Sequence, residues 1–112
     1  MLEDVKILKK SKKFTEIKKD LIKQLELMGT NIPTFLSQVD TYMSMWITQE
    51  LLIADIEDRG TYIEYDNGGG QSGTRKNDSV ADQIKVNGQM QKVLDALGIR
   101  SNALINEDDD KL

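Results

Sequence analysis

The chain contains no cysteine and no histidine. The first absence excludes a disulfide scaffold, a thiolate metal site and a cysteine nucleophile. The second removes the usual general base and the commonest metal ligand. Zinc chemistry and Ser-His-Asp hydrolysis are therefore both excluded. No apolar run approaches the ~18 residues that a membrane span needs, and no signal-peptide pattern opens the chain, so a soluble intracellular protein is expected. What is present is 112 residues, 38% apolar and 30% charged, with mean hydropathy −0.48. That balance is polar for a compact monomer yet of folded type, and the length fits one domain that buries roughly two thirds of its unfolded surface.

Charge is distributed unevenly. The net value is −4, but between Lys6 and Lys23 eight lysines stand against Glu16 and Asp20. That local balance of +6 leaves −10 for the remainder, which includes the run Glu107-Asp108-Asp109-Asp110. A basic head with an acidic tail points to a polyanion partner at one end, set against the plainer reading of a solvated terminus. Lys6, Lys9, Lys10, Lys12, Lys13, Lys18, Lys19 and Lys23 are the candidate phosphate contacts, supplying sequence-independent affinity through counterion release. Arginine is absent from this cluster, so bidentate reading of guanine is not expected.

Apolar spacing predicts three helices. Phe14, Ile17, Leu21, Leu25 and Met28 recur at intervals of three and four, which predicts a helix over about 15–28. Thr15 is its expected N-cap and Gly29 its left-handed terminator. The stretch Lys6 to Lys13 has too few apolar residues to anchor itself and reads as a flexible basic arm, residues 1–13. A second helix, about 33–59, opens on Pro33, whose missing N–H has no partner in a first turn anyway, and closes at Gly60. Its apolar face is broad, and a helix apolar on more than one side packs against two neighbours, one of which can be another subunit. Leu36, Val39, Tyr42, Met43, Trp46, Ile47 and Leu51 are the expected subunit contacts, although packing inside one subunit would use the same residues. A third helix, about 79–97, starts with Asp78 or Ser79 as cap and ends at Gly98, with Gly88 an internal weak point. Residues 61–78, with alternating Thr61–Tyr65 and the glycines 68–70, predict a short hairpin or a loop. The expected class is all-α, with a helical domain over 14–104 and a disordered acidic tail over 105–112.

The residues support little catalytic chemistry. Asp55, Glu57 and Asp58 are too close in sequence to aim at one point on a helix, and Asp40 and Glu50 lie about 15 Å apart along theirs. The stretch Gly68 to Lys76 fails as a phosphate loop, because Lys76 is followed by Asn77 and no parallel strand precedes it. An enzyme is not expected, nor is a cofactor or metal.

The order of features resembles the small terminase subunits of tailed bacteriophages. The resemblance is carried by Asp40-Thr41-Tyr42-Met43-Ser44-Met45-Trp46, by the helix end Glu57-Asp58-Arg59-Gly60 turning into Tyr62-Ile63, and by a glycine-containing loop. Lys76-Asn77 follows, and then Gln89 to Ile99, where a helix ends in Leu97-Gly98-Ile99. These stretches lie within residues 20–104. Asp78 departs from the pattern, which commonly has proline there, as does the segment after Ile99. The resemblance implies a non-enzymatic subunit that assembles into rings, binds double-stranded phage DNA and regulates a large subunit carrying ATPase and nuclease activity. It also implies the host bacterial cytoplasm as the place of action. The lysines would then form a basic surface on the ring, and the second and third helices would join the subunits. A small helical adaptor that never touches DNA is the second expectation, and an enzyme built on carboxylates and a borrowed metal a distant third.

Overall fold

The computed structural model describes residues 2–99. Its elements are α1 (Leu2–Lys10), α2 (Lys12–Met28), α3 (Pro33–Arg59), the strands β1 (Tyr62–Gly68) and β2 (Gln71–Lys76), and α4 (Asp78–Leu97). The fold is mostly helical with one two-stranded antiparallel sheet, so the all-α expectation holds except for that hairpin. The expected acidic tail, together with residues 100–104 of the expected helical domain, lies outside the described residues.

Helices α2, α3 and α4 run up, down and up around a single core. Leu21 and Leu25 from α2 meet Val39, Met43, Trp46 and Ile47 from α3 and Met90, Leu94 and Leu97 from α4, with Ile99 just beyond. Phe14 reaches Trp46 edge-on, ring centroids 5.8 Å apart, a geometry that adds to the area both rings bury. Gly29 ends α2 with φ 71°, the left-handed conformation that lets its N–H and that of Thr30 return to Glu26 and Leu25. That tight turn folds α3 back alongside α2.

Two expectations about the N-terminal region are corrected. Residues 2–10 form a helix where a flexible arm was expected. Val5 and Leu8, three apart, pack against the core, while Glu3 and Asp4 in the first turn and Lys9 and Lys10 in the last complement the helix dipole. Nine residues are too few for a stable isolated helix, so packing supplies what local preference does not. The N-cap of α2 is Ser11 rather than Thr15: its Oγ accepts the Phe14 N–H at 3.2 Å. Thr15 instead lies one turn inside, donating its hydroxyl to the Ser11 carbonyl at 3.2 Å. Likewise α4 is capped by Asn77, one residue ahead of the expected pair, through the Ser79 N–H at 3.0 Å.

The 61–78 segment is a hairpin. Tyr62 pairs with Lys76, Glu64 with Thr74 and Tyr65 with Gly73, with an irregularity between Asp66 and Gly68. Gly69 and Gly70 make the turn at φ 59° and 82°, the positive values that a two-residue hairpin turn matched to strand twist requires. Among the described residues of β1, the turn and β2, only Ile63 and Gly73 are even half-buried. The hairpin therefore stands beyond the bundle, and together with the 27-residue α3 it makes the molecule 63 Å long but only 23 Å thick.

Candidate nucleic-acid interface

The eight candidate lysines fall on two helices, and helical geometry sorts them. On α2, Lys12, Lys19 and Lys23 are spaced seven and four, so they lie within about 40° of one another around the axis. The same geometry puts them opposite Leu21, which is 4% exposed, and they form an outward row about 16 Å long. On α1, Lys6 and Lys10 share a face by their spacing of four. Lys9 and Lys13 sit about 100° round their helices from Lys10 and Lys12. Lys18 is turned toward α3, where its Nζ lies 3.3 Å from Asp40 Oδ1. The expected cluster of eight is thus divided: a row of three on α2, Lys6 and Lys10 on one face of α1, and Lys18 joining α2 to α3.

The row is available to a partner. Lys12 meets Glu16 at 3.7 Å, but those side chains are 89% and 62% exposed. A pair so solvated contributes about 0–1 kcal/mol and is easily exchanged for a phosphate. Among the described residues no carboxylate stands within ion-pair distance of Lys6, Lys10, Lys19 or Lys23. Asp20, which could have neutralised the row, accepts instead from Gln24 Nε2 at 2.9 Å.

The seven expected subunit contacts divide differently. Val39, Met43, Trp46 and Ile47 are 1–6% exposed within the single chain. They are core, and that expectation is corrected: α3 needs its apolar surplus to serve α2 and α4 on two sides. Leu36, Tyr42 and Leu51 are half-buried against the same core, and burial raises the Tyr42 phenol above its usual value. The large apolar side chains left most exposed lie elsewhere, at Leu27, Leu2, Ile7 and Ile84.

A polar clasp at the far end of α3 escaped the sequence reading. Arg59 donates to both oxygens of Asp55 at 2.7 and 2.8 Å. Ser79 Oγ donates to Asp55 Oδ2 at 2.6 Å and Asn77 Nδ2 to the same oxygen at 3.1 Å. Asn77, 1% exposed, also donates to the Gly60 carbonyl at 2.9 Å, and its backbone N–H donates to Thr61 at 2.8 Å. One side chain therefore caps α4, closes the base of the hairpin and ties both to the end of α3. Hydrogen bonds from Arg59, then Ser79 and Asn77, hold the Asp55 carboxyl far below the usual carboxylate range. With four donors occupying it and no proton to give near neutrality, Asp55 is built to position rather than to catalyse. The signal in sequence was Asp-x-x-x-Arg on one helix and a cap-forming Asn-x-Ser on the next, but nothing local joins positions 22 and 24 residues apart.

The remaining candidates are open. Gly68–Lys76 forms the turn and second strand of an antiparallel hairpin rather than a strand–loop–helix cradle, and Arg75 and Lys76, being consecutive in β2, point to opposite faces. Among the described residues no three metal-ligating side chains converge, and no helix is long and apolar enough to cross a membrane. In class the molecule is a three-helix bundle extended by a short N-terminal helix and a projecting hairpin. No family model, curated protein or solved structure matches the chain.

Proposed function

We propose that this chain is a non-enzymatic, double-stranded-DNA-binding protein of the small-terminase-subunit type, acting with a large ATPase and nuclease subunit in phage genome packaging within the host cytoplasm. The observation that carries DNA binding is the exposed row Lys12, Lys19 and Lys23, largely free of carboxylate partners. The packaging role is supported by the order of the Asp40–Trp46, Glu57–Ile63, Lys76–Asn77 and Gln89–Ile99 stretches. Lysines without arginine suit phosphate contact rather than base reading, so binding of this kind is tolerant of sequence. Assembly into a ring would repeat the row on every copy, and multivalency would then raise a weak single-site affinity by orders of magnitude. The contacts between copies would use surface that the core leaves free, such as Ile84 on α4, which is 65% exposed.

The test is fluorescence anisotropy on a labelled duplex at low salt. Replacing Lys12, Lys19 and Lys23 together by glutamine is expected to weaken binding at least tenfold. Lys18→Gln, which removes a cation already engaged by Asp40, is expected to change it less than twofold. Equal losses in both variants, or none in either, would show that the row is not the binding site.

A further inference from the structure

We infer that the lysine row of α2 is also the docking site of the carboxylate run Glu107–Asp110 from the same chain, which occupies it in the absence of nucleic acid. The contact stands on its own geometry, and only the identity of what it excludes rests on the function proposed above.

Three observations carry it. The first is where the described chain ends. Ile99 is buried in the core at 6% exposure, and its N–H donates to the Leu94 carbonyl at 2.9 Å. Gly98, before it, lies against the end of α2: a Cβ at that position would meet Met28 Sδ at 4.0 Å. The chain thus leaves the bundle beside the C-terminal end of α2, on the side of that helix that carries Leu21 and Met28, with the row on the opposite side. The second is reach. Lys23 is five residues back from Met28, about 8 Å along the helix, and Lys19 about 14 Å. Seven residues lie between Ile99 and Glu107, and the eight chain steps span up to about 26 Å when extended. Passing round a helix about 10 Å across adds roughly 15 Å to the path, so the run reaches Lys23 and Lys19 when the connection is largely extended. The third is charge. Four consecutive carboxylates are opposite in sign to the three lysines of the row, and the connecting residues 100–106 carry only the charge of Arg100. A tether this short gives an effective concentration in the millimolar range, so individually weak pairs are sufficient.

The consequence is competition. A polyanion must displace the run to occupy the row, so weak anions are excluded while a long duplex, with many phosphates, is not. The experiment compares the full chain with a variant carrying E107Q, D108N, D109N and D110N, whose changes lie outside the core. The first readout is the amide spectrum of uniformly 15N-labelled protein. Neutralising the run is expected to shift the resonances of Lys12, Lys19 and Lys23 and their neighbours on that face, with the effect independent of protein concentration and lost at 0.5 M salt. The second is duplex affinity, expected to rise about tenfold in the variant at low salt and less than twofold at high salt. Unchanged lysine amides overturn the docking, as do shifts that fade on dilution, which would place the run on another copy. If neither form binds duplex, the nucleic-acid reading fails while the amide shifts still decide whether the run docks.

Discussion

The two ends of the bundle are closed by different physics. Where α2 turns into α3 and α4 finishes, closure is apolar: Leu25, Leu97 and Ile99 are 0–6% exposed, and glycine terminators return the backbone N–H groups. Where α3 finishes and α4 begins, closure is polar: Asp55, Arg59, Asn77 and Ser79 share five side-chain hydrogen bonds, four onto the Asp55 carboxylate and one from Arg59 to Asn77 at 3.2 Å. Apolar closure is non-directional and indifferent to pH. Polar closure is directional, and it sits where a hairpin with no supporting layer must be aimed. The difference teaches that this fold uses hydrophobic contact to hold helices together and hydrogen bonds to orient what projects from them.

Mutations should separate the two. Trp46→Ala removes the ring that serves both neighbours of α3, and a loss of about 3–5 kcal/mol is expected in chemical denaturation. A loss under 1 kcal/mol would mean that the three helices do not share one core. Asn77→Ala is expected to lose about 2–3 kcal/mol, combining a missing cap with orphaned partners. Its distinguishing mark is faster hydrogen exchange in β1 and β2 than in α2, which Trp46→Ala should not reproduce.

Acidity should weaken the polar end. Because the folded carboxyl of Asp55 titrates well below its ordinary value of 3.8, its stabilisation is fully present above that value and is lost as pH falls below it. The unfolding midpoint should therefore decline from about pH 4 downward, and Asp55→Asn should be less stable near neutrality while flattening that decline. A wild-type acid limb that survives the substitution would assign it to other carboxylates. The smallest effect is expected at Gly88, inside α4, where an added Cβ meets nothing within 4 Å. Gly88→Ala should stabilise by about 0.5–1 kcal/mol, with no change in the hairpin.

Legibility in the sequence followed how local each cause is. Helix α3 was readable to both ends because Pro33 and Gly60 are each decisive at their positions. The start of α2 was not, since Ser11 and Thr15 are both good caps and only the packing of α1 selects the first. Helix α1 was missed because its apolar residues Leu2, Val5, Ile7 and Leu8 span only two turns, too short a run to stand out, and its support comes from a core assembled later in the chain. The broad apolar face of α3 was legible as a surplus, but whether a second subunit or α4 covers it is a tertiary fact. The lysines were legible as a cluster, and their spacing of seven and four already contained the row. The clasp, built across the whole hairpin, was legible only as separate capping and ion-pair signals.

The central claim is that Lys12, Lys19 and Lys23 meet phosphates, and the salt dependence of duplex binding tests it most directly. With the row and Lys6 and Lys10 engaged, log affinity against log salt should fall with a slope of about −4.5, and replacing the three row lysines by glutamine should reduce its magnitude by about 2.7. A flat plot, or a slope that the triple substitution leaves unchanged, would contradict the account.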